Sequence, residues 1–342
     1  MKLTGSAALG FAFALAPALA DKVAVPSTGT TSLRLEAEKQ GVLIGSGAIN
    51  PAYLYDPQFA TVLAEQFNSL SPENELKWNF MNPSKGVYNW TAIDRLVDFA
   101  DENDMVVKGH GLVSSCCNPD YVANISNAKT LRDTMKSHFN AVMTRYHGKL
   151  NRWDVVSEAM EAQGTTLDAN NFFYKILGPD WVAESFRIAH AADPTAKLFL
   201  NENLVESLPD KRKGFLELVS KLIADGVPVH GIALQMHVTL QPLVPGVIKE
   251  MTDSYAALGL ETVIAEFDVH TLDADLQTEI YSSSMKEALA AGIKDISFWG
   301  FTDKHLYTWI PGAKPLMFDE EYQPKGAFYA THDALVESEC AS

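Results

Sequence analysis

Short apolar runs recur from residue 41 onward, and stretches with helical spacing fill the gaps between them. The runs are GVLIGSGAI (41–49), QFNSLSPE (66–73), MVVKGHGLV (105–113), RWDVVSE (152–158), AKLFLNEN (196–203), VHGIALQMHV (229–238), TVIAEFDV (262–269) and DISFWGFTD (295–303). Each is rich in β-branched or aromatic residues and carries few charges until its C-terminal end. A parallel strand buried on both faces reads this way. Between them, WTAIDRLVDFADEND puts Ile93, Leu96, Val97 and Ala100 on one stripe, and KGFLELVSKLIADG does the same with Phe215, Leu218, Val219 and Leu222 before closing on Gly226. PDWVAESFRIAHA opens with Pro179 near its first turn, where a missing N–H costs nothing.

Eight strand–helix units in one chain predict an α/β protein built as a single (β/α)8 TIM barrel. A doubly wound sheet also alternates, but its first strand leads into a Gly-rich phosphate turn, and no G-x-G-x-x-G or P-loop is present. The barrel predicts that chemistry gathers where the C-terminal ends of the strands converge. That rim would hold Glu73, Asn74 and Lys77; His110; Ser157 and Glu158; Asn201 and Glu202; Gln235 and His237; Glu266 and Asp268; and Trp299. Carboxylates, amides and imidazoles with an indole suit a neutral polyhydroxylated ligand, because the polar groups bind hydroxyls and the indole face covers a sugar ring.

Two carboxylates stand out by position. Glu158 ends the apolar run WDVVSE, and Glu266 interrupts VIAEFDV. A charge at the end of a buried strand costs stability unless it is paired or functional. Taken singly, each has an equally good reading as a salt bridge at a loop edge. Together, on the fourth and seventh strands, they fit the acid/base and nucleophile pair of glycoside hydrolysis. Such a pair needs opposite environments, one holding a proton and one staying ionised. His237 shares a strand face with Gln235 and is placed to donate to Glu266.

The opening MKLTGSAALGFAFALAPALA has one Lys, an apolar stretch and small residues at Ala18 and Ala20, so a secretory signal over 1–20 is expected, with the barrel in 21–342. Residues 21 to about 35 read as a loose arm. The expected location is extracellular, and no second run approaches a bilayer span. A formal charge of −16 argues against nucleic acid and anionic membranes as partners. Asn89-Trp-Thr and Asn124-Ile-Ser are glycosylation sequons. Three cysteines are too few for a disulfide scaffold and too dispersed for a zinc site, so the fold must stand on its core. Nothing points to an obligate oligomer, and a monomer is expected.

At these residues the chain resembles glycoside hydrolase family 10, the xylanase family, over nearly all of 21–342. The resemblance is carried by FNSLSPENELKW, RWDVVSE, GIALQMH, TVIAEFD, ISFWGFTD and PLMFDEEYQPKGAFYA, in that order. It implies hydrolysis of β-glycosidic bonds with retention and without a cofactor or metal. Glu158 would be the acid/base, Glu266 the nucleophile, and His237 the group that orients it. Glu73, Asn74, Lys77, His110 and Gln235 would hold sugars on the non-reducing side, with Trp299 and Trp309 walling the central subsite.

The stretch GHGLVSSCC (109–117) departs from that family, which usually continues Trp-His-Ser-Gln after the valine; here stand Ser114, Ser115, Cys116 and Cys117. Ser157 occupies the place of an Asn that holds the sugar 2-hydroxyl. Asn201-Glu202-Asn203 replaces a common Asn-Asp-Tyr, and KHLYT (304–308) lengthens the approach to Trp309. Small residues for large ones open space for a hexose and point to the fungal tomatinase branch, whose members release an intact oligosaccharide from α-tomatine. Met236, Leu240, Leu306, Tyr307 and Trp309 would then meet the steroidal leaving group. An endo-β-1,4-xylanase is the alternative. A non-catalytic barrel that binds carbohydrate or other glycosidases would be expected to lose one of the two glutamates, and both are present. Cys116 and Cys117 form either a vicinal disulfide or two small thiols, with Cys340 too distant to pair.

Overall fold

The computed structural model describes residues 32–150 and 152–341. The expected signal and most of the arm lie outside these residues. The arm ends earlier than expected, because a helix begins at Leu33, which is buried. Ten strands form one sheet system: β1 (Leu43–Ile49), β2 (Ser69–Pro72), β3 (Val106–Val107), β4 (Gly109–Ser114), β5 (Arg152–Ser157), β6 (Lys197–Glu202), β7 (Gly231–Leu234), β8 (His237–Thr239), β9 (Glu261–His270) and β10 (Asp295–Phe298). All are paired in parallel, in the order β3-β2-β1-β10-β9-β7-β6-β5-β4, with β8 on β9.

The two ends of that path are β3 and β4, halves of the single run 105–113. The barrel therefore closes through one continuous stretch of chain, broken at Lys108. A second run is divided in the same way: 229–238 is split at Gln235 and Met236 into β7 and β8. With each split run counted once, the eight expected staves are present, and the (β/α)8 reading stands.

Two layers of core follow from the alternation of the strands. Most buried apolar side chains lie between the strands and the surrounding helices. A separate small cluster of Phe199, Ala233, Val263 and Ala265 fills the barrel interior. Glycine permits close packing on both sides of the sheet: a Cβ at Gly109 would lie 2.3 Å from the Trp153 ring in the outer layer, and one at Gly231 would lie 2.2 Å from Phe199 in the interior. The expected helices are seen over Thr91–Glu102 and Pro209–Ala224, with the anticipated stripes inward apart from Leu218, which is half-buried. Trp181–Ala192 starts after Pro179, so that proline precedes the helix and does not sit in its first turn.

The barrel interior also holds a buried charge cluster. Lys108 contacts Asp295 and donates to Ser297 Oγ at 2.6 Å, while Arg152 pairs with the other oxygen of Asp295 and lies over the Phe199 ring. Burial alone would raise the Asp295 carboxyl, but Arg152 and Lys108 outweigh it and hold it below the usual range. Removing one partner of such a group leaves the others uncompensated. Asp295→Ala should therefore lower stability by about 3–5 kcal/mol. Urea unfolding of the variant checks this, and an unchanged midpoint would show that the cluster is dispensable.

Candidate active site

Glu266 reaches the cleft because β9 carries one extra residue. Val263 and Ala265 face the barrel interior, whereas Ile264, Phe267 and Val269 join the outer layer. Simple alternation would send Glu266 outward with Ile264. Between β9 and β10, however, Ile264 pairs with Ile296 and Phe267 with Phe298, so three steps on β9 span two on β10. This bulge resets the alternation, and Glu266, Asp268 and His270 all turn to the inner face. Similar shifts occur on β1, β4 and β5 near their C-terminal ends.

Around Glu266 the polar groups interlock. Asn201 Nδ2 donates to Glu266 Oε1 at 2.8 Å, and its Oδ1 accepts from Gln235 Nε2 at 2.9 Å. Gln235 Nε2 also lies 3.3 Å from Glu158 Oε1. The two glutamates are thus joined through a pair of amides. His237 Nε2 stands 3.3 Å from Glu266 Oε2, and its Nδ1 meets Asp268 Oδ1 at 2.8 Å. His270 Nε2 lies 2.8 Å from that same oxygen. Among the described residues, His237, Asp268 and His270 form the one cluster with metal-ligand spacing. His237 already bonds Asp268 and Glu266, with His270 in ion-pair range of Asp268, so the cluster reads as an ionic relay behind that carboxylate.

Glu158 follows β5 with φ of +58°, a left-handed conformation that a side-chain-bearing residue adopts at a cost. The surroundings hold it there. Its N–H donates to Asn201 O at 3.0 Å, and the next two N–H groups, of Ala159 and Met160, donate to Glu202 Oε2 at 2.9 and 3.1 Å. Lys211 Nζ lies 3.0 Å from Glu202 Oε1, and both side chains are fully buried. Glu202, expected on the rim, is instead a clamp beneath it. Ser115 Oγ donates to Glu158 Oε2 at 2.9 Å from the open side.

Above these groups lies a cleft of about 440 Å³. Of the expected residues it brings together Lys77, His110, Ser157, Glu158, Gln235, His237, Glu266, Trp299 and Trp309. Glu73 and Asn74 do not line it. Asn74 acts through Lys77, whose Nζ donates to its Oδ1 at 3.0 Å. Met236 is buried, so it cannot meet a leaving group as expected. Asn203, part of the departure from the family's Asn-Asp-Tyr, lines the cleft, and Leu204 and Thr239 line it without having been singled out, for want of any motif signal. Trp299 is seated on Gly47, where a Cβ would come within 2.9 Å of its ring. Cys116 and Cys117 are disulfide-bonded, and Cys340 is free and exposed. Asn89 and Asn124 are both exposed.

The fold and the paired glutamates can be set beside known proteins. The pattern of glycosyl hydrolase family 10 matches residues 32–334. The chain belongs to that family. It is similar to endo-1,4-beta-xylanase B of Thermotoga neapolitana, 32% identical over 321 residues that cover 89% of this chain and 92% of that protein. Native xylanase 10B from Thermotoga maritima superposes with a TM-score of 0.85 at 34% identity, covering 91% of this chain and all of that one. Xylanase 10B from Thermotoga petrophila RKU-1, solved in complex with xylobiose, gives 0.84 at 34% identity, with 90% and 98% covered. The family 10 chain is accordingly an O-glycosyl hydrolase that works with retention, by double displacement.

Electrostatics keeps Glu266 ionised. Burial would raise the Glu266 carboxyl, but the pull of His110, the hydrogen bond and charge of His237 and the Asn201 hydrogen bond bring it down to about 2. Burial likewise opposes charge on His237, and Asp268 with Glu266 outweighs it, raising that imidazole well above its usual range. Glu266 is therefore ionised throughout the mildly acidic range, and its stabilising contribution is lost only as pH falls from about 4.5 towards 2. His237→Ala removes a donor and a cation, so the acidic limb of kcat/KM should move up towards the ordinary carboxylate range. A pH–rate profile checks this: the variant should lose more activity at acidic than at neutral pH, and an unmoved limb would exclude the relay.

Proposed function

We propose that this family 10 chain is an endo-acting β-1,4-xylanase with a widened central subsite, exported by its N-terminal leader. The observation that carries the reading is the unbroken path Glu158–Gln235–Asn201–Glu266 beneath the cleft. In this reading Glu266 attacks the anomeric carbon while Glu158 protonates the departing glycosidic oxygen. Glu158 then takes a proton from the water that releases the glycosyl-enzyme. His237 keeps the nucleophile ionised and oriented. Lys77, His110, Gln235 and Trp299 hold the sugar on the non-reducing side. Support for xylan comes from the similar proteins named xylanase, one of them with xylobiose bound.

Ser114, Ser115 and Ser157 leave more room and fewer partners around the central sugar than the family's usual Trp, His and Asn. Ser157 Oγ has no hydrogen-bond partner among the described residues. Exposed Asn89 and Asn124 are suitable for glycans on an exported chain. A second reading, the saponin glycosidase, draws on one further observation. Tyr307 and Trp309 line the cleft and are exposed, with Trp309 stacked on His270 at 3.9 Å, and Leu240, next to the cleft-lining Thr239, is exposed as well. A steroidal leaving group would cover that surface.

Side-by-side digestion of xylan and α-tomatine, with products weighed by mass spectrometry, separates the two. Xylo-oligosaccharides are expected; free aglycone with an intact oligosaccharide and untouched xylan would replace this reading with the second. Glu158→Ala and Glu266→Ala should each lower turnover on the natural polymer by at least about 100-fold. Full activity in either variant would overturn the catalytic assignment.

A further inference from the structure

The turn that leaves β4, Ser114 to Cys117, is one of the places where the site departs from the family's usual residues. Ser115 Oγ sits 2.9 Å from Glu158 Oε2, and the next residue, Cys116, lines the cleft together with Ser114. Ser114 Oγ closes the turn on Cys116 O at 2.9 Å. Cys117 O accepts from Asn79 N at 3.0 Å, tying the turn to the short helix Trp78–Met81 that follows Lys77. Cys117 has φ of +68°, again left-handed. Ser115 and Cys116 are exposed and small, so no buried side chain of theirs anchors this backbone. The Cys116–Cys117 bond supplies a covalent restraint in place of packing.

We propose that the Cys116–Cys117 disulfide is a specificity and positioning element of the glycosidase site. It holds the turn so that Ser115 stays on Glu158, and it presents apolar, polarisable sulfur to the C–H face of the sugar beside the bond being cut. Ser115 is a positioning residue acting through Glu158, and Cys116 is the contact. The inference rests on the assignment of Glu158 as the acid/base, not on xylan as the substrate.

Leaving-group dependence tests it, because only glycosides with poor leaving groups need the acid. The substrates are aryl β-xylobiosides and aryl β-cellobiosides, each with phenyl and dinitrophenyl leaving groups. They are assayed with the native protein, with protein reduced by a water-soluble phosphine, with the Cys116→Ser/Cys117→Ser variant and with Ser115→Ala. Using both sugar series keeps the outcome separate from the xylan reading, which fails if only cellobiosides are cleaved. Mass spectrometry after alkylation should find Cys116 and Cys117 blocked in the native protein and both labelled after reduction. Reduction and the double variant should lower kcat/KM for phenyl glycosides by about 10-fold and for dinitrophenyl glycosides by less than about twofold. Ser115→Ala, its disulfide intact, should show the same contrast. Free thiols in the native protein, an equal fall for every leaving group, or no fall at all would each overturn the proposal. A merely structural restraint would change the melting temperature without changing the leaving-group contrast.

Discussion

One side-chain amide, that of Asn201, sets the geometry on which the rest of the site depends. It gives its N–H to Glu266 and takes one from Gln235, so both of its ends are fixed and it cannot turn over without breaking two bonds. A third contact, Nδ2 to Asp154 Oδ2 at 3.2 Å, fastens it to the same aspartate that holds His110 Nδ1 at 2.9 Å. Four strands are therefore linked through polar atoms that are nearly all buried. In a low-dielectric interior each of these bonds is strong, and an unpaired member would be costly. The carboxylates sit in a rigid frame, and substrate need not order it.

The same strands obey two demands. Their lower halves must close a barrel, and glycine beside Trp153 and Phe199 with the buried Lys108–Asp295–Arg152 cluster does that. Their upper ends must present polar groups inward, and there the backbone departs from regularity. Glu158, Leu204, Met236 and Leu240 all have positive φ, and the register shifts lie close by. Irregular backbone near a site is expected where side chains must be aimed and not only buried.

The barrel was legible in the sequence because parallel strands covered on both faces are written as continuous apolar runs. The glutamates were legible because each breaks such a run. Neither signal reports how neighbouring strands are aligned, so the bulges that aim Glu266 could not be read from β9 alone. Glu202 shows a related limit: a carboxylate at a strand end looks like a ligand for sugar, and only Lys211, brought in from a later helix, reveals it as a clamp. Met236 fails for the opposite reason, since an apolar residue beside His237 is equally suited to packing. The adjacent cysteines left bond and thiols open, because sequence adjacency does not fix the conformation of the turn between them.

The extra residue in β9 has a consequence for how this chain can change. Upstream of it the strand is read in one phase, and downstream in the other. Val263 and Ala265 share a face with Glu266, Asp268 and His270 only because of that offset. Substitutions on either side alter one side chain at a time. A single deletion just downstream of the bulge would exchange inside for outside over the rest of the strand, sending Val269 inward and Asp268 and His270 towards the helices. The strand thus tolerates variation in composition far more readily than variation in length, and its catalytic content is stored in counting as much as in chemistry.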